Sequence, residues 1–211
     1  VEVIVTDHHE LPEVLPDCIC VNPKIGYPFT YLSGSGVAWK FVEALTDRQT
    51  AMKYVDLASI GTIGDIMPMS DENRAIVKCG IANWNHKGLK KLAELSKCGD
   101  KLTCSDIAMR IVPKINAAGR VGNPYAALEL LLMRDKADKA TAEKLIELNE
   151  QRKEYLDDIV AEADGMIDER TVRAERLVYL VGNKWQHGLL GIAAARYKER
   201  FYVPSVVMTD D

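Results

Sequence analysis

The chain has 211 residues, 27 Lys and Arg against 31 Asp and Glu, and a formal net charge of −4. At roughly 150 residues per domain it holds one large domain or two small ones, long enough to fold without a disulfide or zinc staple. No apolar run reaches the roughly 18 residues of a transmembrane helix, Val1-Glu2-Val3-Ile4-Val5 lacks the flanks of a signal peptide, and the mild acidity does not suggest a protein that coats nucleic acid nonspecifically, though it leaves open a nuclease with carboxylates gathered at metals.

Five cysteines, Cys18, Cys20, Cys79, Cys98 and Cys104, form no C-x-x-C and match no zinc spacing. They read as free thiols of a cytoplasmic protein. Cys18 and Cys20 are expected on one strand, facing opposite sides. Residues 1–6 alternate and are rich in β-branched side chains, so they predict a strand. A core strand that starts at the first residue, and another (202–208) that ends three residues from the last, suggest a fragment lacking its N-terminal part.

Downstream of the first strand the organisation is α/β. A Pro-rich stretch with Ile19-Cys20-Val21 leads to Ser33-Gly34-Ser35-Gly36, which opens a helix reaching about Leu45. Its two glycines lack the third of a dinucleotide fingerprint and point to close helix packing. Helical spacing then covers 50–63, 73–84 and 88–96. Ser105 is expected to cap a short helix over 106–111. Residues 116–122 read as a glycine turn, followed by a helix over 125–133. The longest helix spans 136–167, with Leu145, Leu148, Arg152, Tyr155, Ile159, Ala163 and Met166 stepping by three and four. At 1.5 Å per residue it would be roughly 45 Å long, suited to connecting two domains. Strand 176–181, a glycine loop, a helix over 190–200 and strand 202–208 complete a βαβ unit, for which a parallel sheet is expected.

Four places carry chemistry. Asp7-His8-His9 follows a strand's C-terminal end, where open α/β sheets collect ligands. An acid with imidazoles suits Mn²⁺ best among common ions. The plainer alternative is a surface histidine pair. Asp65 stands between Gly64 and an apolar stretch, and a carboxylate there needs a partner, whether a metal, a salt bridge or a helix end. Asn116-Ala117-Ala118-Gly119-Arg120 offers small residues beside a guanidinium that could fork onto phosphate, or else a tight turn with a solvated arginine. Lys184-Trp185-Gln186-His187-Gly188-Leu189-Leu190-Gly191-Ile192 runs into a helix N-terminus, a natural anion site, unless its glycines are only punctuation.

In this order, Thr6-Asp7-His8-His9-Glu10, Gly61-Thr62-Ile63-Gly64-Asp65, Asn116 to Arg120, a long helix and Trp185 to Ile192 closely resemble the DHH phosphoesterase superfamily. The last two motifs narrow the resemblance to its RecJ family, and it covers nearly the whole chain. It implies a parallel-sheet DHH catalytic domain (1–134, C-terminal part), a long connecting helix (135–168) and the start of a smaller α/β DHH-associated domain (169–211). The implied activity is a 5′→3′ exonuclease that degrades single-stranded DNA in recombination and repair with two Mn²⁺ or Mg²⁺ ions. Single-strand-binding protein and a helicase are the implied partners.

Carried over by residue, His8 and Asp65 would ligate metal, His9 would lie beside the scissile phosphate, and Asp7 would support the site. Arg120 would hold the DNA 5′-phosphate, with Asn116, Gln151, Arg196 and His187 near it. The family's earlier aspartate motifs are not in this sequence, so the chain alone is expected to be inactive. Gln186 follows Trp185 where the family usually has His, which leaves His187's role open. The rivals are an oligoribonuclease or cyclic-dinucleotide phosphodiesterase of the same superfamily, whose usual Gly-Gly-His loop is missing from the sequence, and a non-catalytic scaffold that binds replication partners.

Overall fold

A computed structural model describes residues 2–133 and 138–210. The chain packs as two compact units, one running through Val112 and the other formed by 113–132 with the chain from Asp138 onward. Helices dominate both, and each holds one pair of parallel strands.

In the first unit β1 (Ile4–Thr6) and β2 (Ile19–Val21) pair in parallel, Ile4 against Ile19. Helices α1 (Gly34–Leu45), α2 (Arg48–Met52), α3 (Val55–Gly64), α4 (Asp71–Ala82), α5 (Lys87–Leu95) and the short α6 (Cys104–Asp106) follow. The helix expected over 50–63 is thus two helices. Asp47 caps the first of them, accepting from the Thr50 amide, and the chain turns at Lys53 and Tyr54. Phe29, Leu32, Val37, Trp39, Val55 and Ile76 form the core. Packing of α3 on α4 needs Gly80, because a Cβ there would lie 2.3 Å from Ser59 Cβ and 2.7 Å from the Val55 carbonyl oxygen.

Two expectations fail near Thr103 and Asn116. The cap is Thr103, not Ser105: its hydroxyl accepts from the Asp106 amide while Asp106 reaches back to the Thr103 amide. This reciprocal pair satisfies two donors at the helix start. A π-helical turn, Ile107–Ile111, then runs straight into α7 (Val112–Val121). The expected turn at 116–122 is therefore mostly helix. Ala117 and Ala118 are wholly buried, and that burial outweighs the turn preference of Asn116 and Gly119.

The second unit continues with α8 (Tyr125–Leu132), α9 (Lys139–Met166), α10 (Glu169–Glu175), β3 (Val178–Gly182), α11 (His187–Phe201) and β4 (Ser205–Thr209). The expected start of the long helix at Lys136 lies outside the described residues. Of its expected apolar stripe, Leu145, Leu148, Ile159 and Ala163 are buried, whereas Tyr155 and Met166 are exposed. Sequence periodicity does not reveal α10 because its seven residues carry one buried side chain, Val172. The β3–α11–β4 unit is parallel as expected, Val178 against Ser205. Trp185, Leu189 and Tyr197 fill its core with Ile159 and Val178, each fully buried aliphatic side chain contributing roughly 2 kcal/mol.

Cys18 precedes β2 and Cys20 lies within it. Residues two apart on extended chain share a face, so the expectation of opposite faces is geometrically wrong. Burial and then a hydrogen bond with Cys18 raise the Cys20 thiol pKa.

Tyr197 donates to Asp164 Oδ1 at 3.0 Å and to the Val160 carbonyl at 3.2 Å. Burial, then the Asp164 bond, pushes its phenol up to about 12 from 10.0. A raised folded-state value means that its stabilisation is complete below pH 10.0 and is lost as pH rises through about 12. Urea unfolding should show this loss in the native chain. Tyr197→Phe should remove that pH-dependent part and cost about 1 kcal/mol at neutral pH. An unchanged alkaline profile in the variant would place the loss elsewhere.

Candidate functional site

The first constellation is built where β1 ends. Asp7 N–H donates to the Val21 carbonyl at 3.1 Å, closing the ladder. Asn22, just past β2, donates from Nδ2 to the His9 carbonyl at 3.0 Å and accepts from the Lys24 amide. Lys24 in turn pairs with Glu10. The Asn22-Pro23 step thereby fixes the Asp7-His8-His9 backbone from the neighbouring strand.

The two imidazoles take different partners. His9 Nδ1 lies 2.7 Å from Asp7 Oδ1. Its hydrogen bond, ahead of the His8 backbone bond, lowers the Asp7 carboxyl to about 2, so Asp7 is an anion throughout the physiological range. His8 turns inward, its side chain 16% exposed, and brings Nε2 within 3.5 Å of Asp65 Oδ2. The two rings nevertheless lie against each other, centroids 4.5 Å apart and tilted by 48°, so adjacent histidines take separate partners here without their side chains diverging.

Asp65 owes its place to the way α3 ends. The Met67 amide bonds the Thr62 carbonyl and the Ile66 amide bonds the Ile63 carbonyl, a Schellman closure with Asp65 as the C-cap. The residue that must turn left-handed is Ile66, at φ 56° and 89% exposed. A β-branched side chain there stores roughly 1–3 kcal/mol of strain. Asp65 is half-exposed, so the apolar burial expected of it is absent. Its partner is a histidine.

α1 completes the setting. Ser33 caps it, accepting from the Gly36 amide, and its Oγ lies 3.0 Å from buried Thr62 Oγ1 on α3. A Cβ on Gly34 would lie 3.3 Å from His8 Cδ2, and one on Gly61 would strike Ser35 Oγ at 1.9 Å. The glycines of Ser33-Gly34-Ser35-Gly36 and Gly61 therefore let α1, α3 and the His8 ring meet beside Asp65. Among the described residues no three His, Cys, Asp or Glu side chains converge tightly enough to hold an ion. His8 and Asp65 bring one imidazole and one carboxylate together, a pair of groups that would suit Mn²⁺.

A second constellation lies in the other unit. Arg120, Val121, Gly122, Lys184, Trp185, Gln186, His187 and Gly188 line a cleft of about 380 Å³. Arg120 Nη1 donates to the Gly188 carbonyl at 2.9 Å. A Cβ on Gly188 would lie 2.5 Å from the Arg120 carbonyl oxygen, so this glycine is what lets α11 begin against the end of α7. Trp185 packs on Gly182 and donates from Nε1 to Glu162 at 2.8 Å. His187 is the first residue of α11, three residues earlier than the expected helix start.

Of the expected anion-binding residues, Arg120 and His187 share this cleft. Asn116 is exposed one helical turn before Arg120. Gln151 donates to Glu147 at 3.3 Å, and Arg196 pairs with Asp157 at 3.7 Å, so neither lines the cleft. Lys184 opens the sequence motif, but its residue type alone does not mark it as functional. Its left-handed backbone, φ 57°, places a second cation on the cleft wall.

No family model matches the chain. The single-stranded-DNA-specific exonuclease RecJ of Bacillus subtilis (strain 168) is 34% identical over the whole chain. The RecJ of Thermus thermophilus is 35% identical over 94% of it. A crystal structure of exonuclease RecJ bound to manganese matches 99% of the chain at TM-score 0.87 and 33% identity. The crystal structure of RecJ from Thermus thermophilus in complex with Mn²⁺ does so at TM-score 0.88 and 32% identity. The chain spans 28% and 30% of the two curated relatives, and 55% and 33% of the two crystallised chains.

Proposed function

We propose that this chain, which belongs to the RecJ family, carries part of the machinery of a metal-dependent 5′→3′ exonuclease acting on single-stranded DNA. The observation that carries the reading is the pairing of His8 Nε2 with Asp65 Oδ2 at 3.5 Å beside the Asp7–His9 pair, at the C-terminal edge of parallel strands. His8 and Asp65 are read as ligands of Mn²⁺ or Mg²⁺. When bound, such ions supply an activated water and stabilise the leaving oxygen of a phosphodiester.

The chain's own groups do the rest. Asp7, ionised, accepts from His9 Nδ1 and orients that ring, whose other nitrogen donates to a phosphate oxygen when the ring is protonated. Arg120 and His187 hold the 5′-phosphate in their cleft, with Lys184 adding charge and Asn116 extending the exposed face of α7. Gln151 and Arg196 act in the same role only after leaving Glu147 and Asp157. In domain terms we read 1–134 as DHH catalytic domain, 135–168 as the connecting helix and 169–211 as the start of the DHH-associated domain. Single-strand-binding protein, a helicase and a cytoplasmic site belong to the same reading. Among the described residues no helix is long and apolar enough to cross a membrane.

The test offers the full-length gene product, with Mn²⁺, a 5′-phosphorylated single strand, the matched duplex and short RNA. Mononucleotide release from the single strand alone is the expected result. Preference for short RNA would replace this reading with an oligoribonuclease, and no turnover would favour a scaffold.

A further inference from the structure

A groove of about 700 Å³ runs between α4, α5 and the segment that follows α5. Its floor is apolar: Ile81, Ala82, Ala93 and Leu102, with the half-buried indole of Trp84 in its wall. Lys78, Lys90 and Lys101 stand exposed along it. The region is basic in a chain of net charge −4, with five lysines against two acids between Trp84 and Cys104. Of the two acids in the lining, Glu94 is engaged by Lys91 at 2.6 Å, which leaves Asp100. Lys78, Lys90 and Lys101 make no ion pair among the described residues.

The groove is held in shape from both sides. Wholly buried Asp56 on α3 accepts the Asn85 amide at 3.2 Å and the His86 amide at 3.0 Å. His86 Nδ1 then accepts the Leu89 amide at 3.2 Å and caps α5. This pins the loop that carries Trp84. At the far end of α5, the Lys97 amide bonds Glu94 and the Cys98 amide bonds Ala93, a Schellman closure with Lys97 at φ 56°. Arg110 clamps the Lys97 carbonyl at 2.6 Å. The chain is thereby folded back so that Lys101 and Leu102 form the opposite wall. Trp84 is also set apart by its indole N–H. Those of Trp39 and Trp185 donate to Ala51 and Glu162, whereas that of Trp84 finds no acceptor. Its ring serves no structural hydrogen bond.

A preorganised apolar trough with an aromatic wall and unpaired lysines matches the chemistry of single-strand binding, in which bases stack on aromatic rings and lysines follow the backbone. We propose that this groove is an accessory binding site for single-stranded DNA, lined by none of the residues assigned to the metal centre or the 5′-phosphate cleft. Duplex DNA is excluded because its bases already stack on one another. The inference rests on the single-strand substrate of the proposed function.

The test titrates a fluorescent oligothymidylate with the 211-residue chain at several salt concentrations in EDTA, which suppresses hydrolysis. Lys90→Glu/Lys101→Glu should weaken binding about tenfold or more and flatten the salt slope by about 1.4, at roughly 0.7 for each phosphate no longer neutralised. Trp84→Leu should weaken it by about tenfold with the salt slope unchanged. Circular dichroism melting controls for folding, and Lys90→Gln/Lys101→Gln should give a smaller loss of the same kind. Arg120→Ala is titrated in parallel. If it alone loses affinity while the groove variants match the native chain, the accessory site is overturned and the 5′-phosphate cleft stands. If the groove variants lose affinity and Arg120→Ala does not, the groove stands and the cleft assignment fails. Equal binding of duplex, or capture of an acidic peptide in place of the oligonucleotide, would also overturn the proposal.

Discussion

Replacing Asp65 with Ala is expected to reduce Mn²⁺-dependent release of mononucleotides by the full-length gene product about 10³-fold or more. The side chain is half-exposed at a helix end, so the fold loses little. What disappears is a charged donor 3.5 Å from His8 Nε2, and charge stabilisation by a metal is worth several kcal/mol in such reactions. Asp65→Asn keeps the shape and the C-cap, so it should lose nearly as much activity with an unchanged melting temperature. His8→Ala should fall to a similar level, and the double variant little further, because the two groups act as one unit. An Asp65→Ala protein with most of its activity would remove Asp65 from the reaction.

The second large effect is expected at Gly188. A methyl group there would lie 2.5 Å from the Arg120 carbonyl oxygen. Backbone cannot retreat as a side-chain tip would, so Gly188→Ala should cost about 1–3 kcal/mol of stability through overpacking. It should also displace the carbonyl that accepts Arg120 Nη1 at 2.9 Å, and with it the guanidinium. Comparing KM for 5′-phosphorylated and 5′-hydroxyl strands isolates this contribution. Loss of one charge-assisted interaction of about 1.5–3 kcal/mol predicts that the native preference shrinks roughly 10- to 100-fold. Arg120→Lys should lose much of the same preference, because an ammonium lacks the planar fork. A preference that survives both substitutions would place the 5′-phosphate elsewhere.

These sites are legible in the sequence to different depths. The helix opening at Ser33 and the close packing at Gly34 follow from local rules: a hydroxyl before a helix, and glycine where neighbours meet. The segment Asn116 to Arg120 does not follow. Its turn formers give a clear local signal, yet Ala117 and Ala118 are buried and a helix results. That preference is tertiary, set by what packs against those two methyl groups. The Thr103 cap is hidden because Ser105 is an equally good hydroxyl by type, and only Asp106 in the reciprocal position separates them. The pairing of His8 with Asp65 joins residues far apart in the chain and lies beyond local reading. Motif order implies it through resemblance, without a distance.

The helix that replaces the expected turn has a consequence for stability. Gly119 lies in the interior of α7 and Gly191 in that of α11, and a Cβ at either would meet nothing within 4 Å. Each therefore forgoes about 0.8–1.0 kcal/mol of helix propensity relative to alanine. Engineering guided by thermal tolerance alone would substitute both at once. Those substitutions would also place one methyl group next to Arg120 and another a turn beyond His187. Hardening against heat would then set a methyl group near each of two residues proposed to hold the 5′-phosphate, so melting temperature and 5′-phosphate preference belong in one measurement.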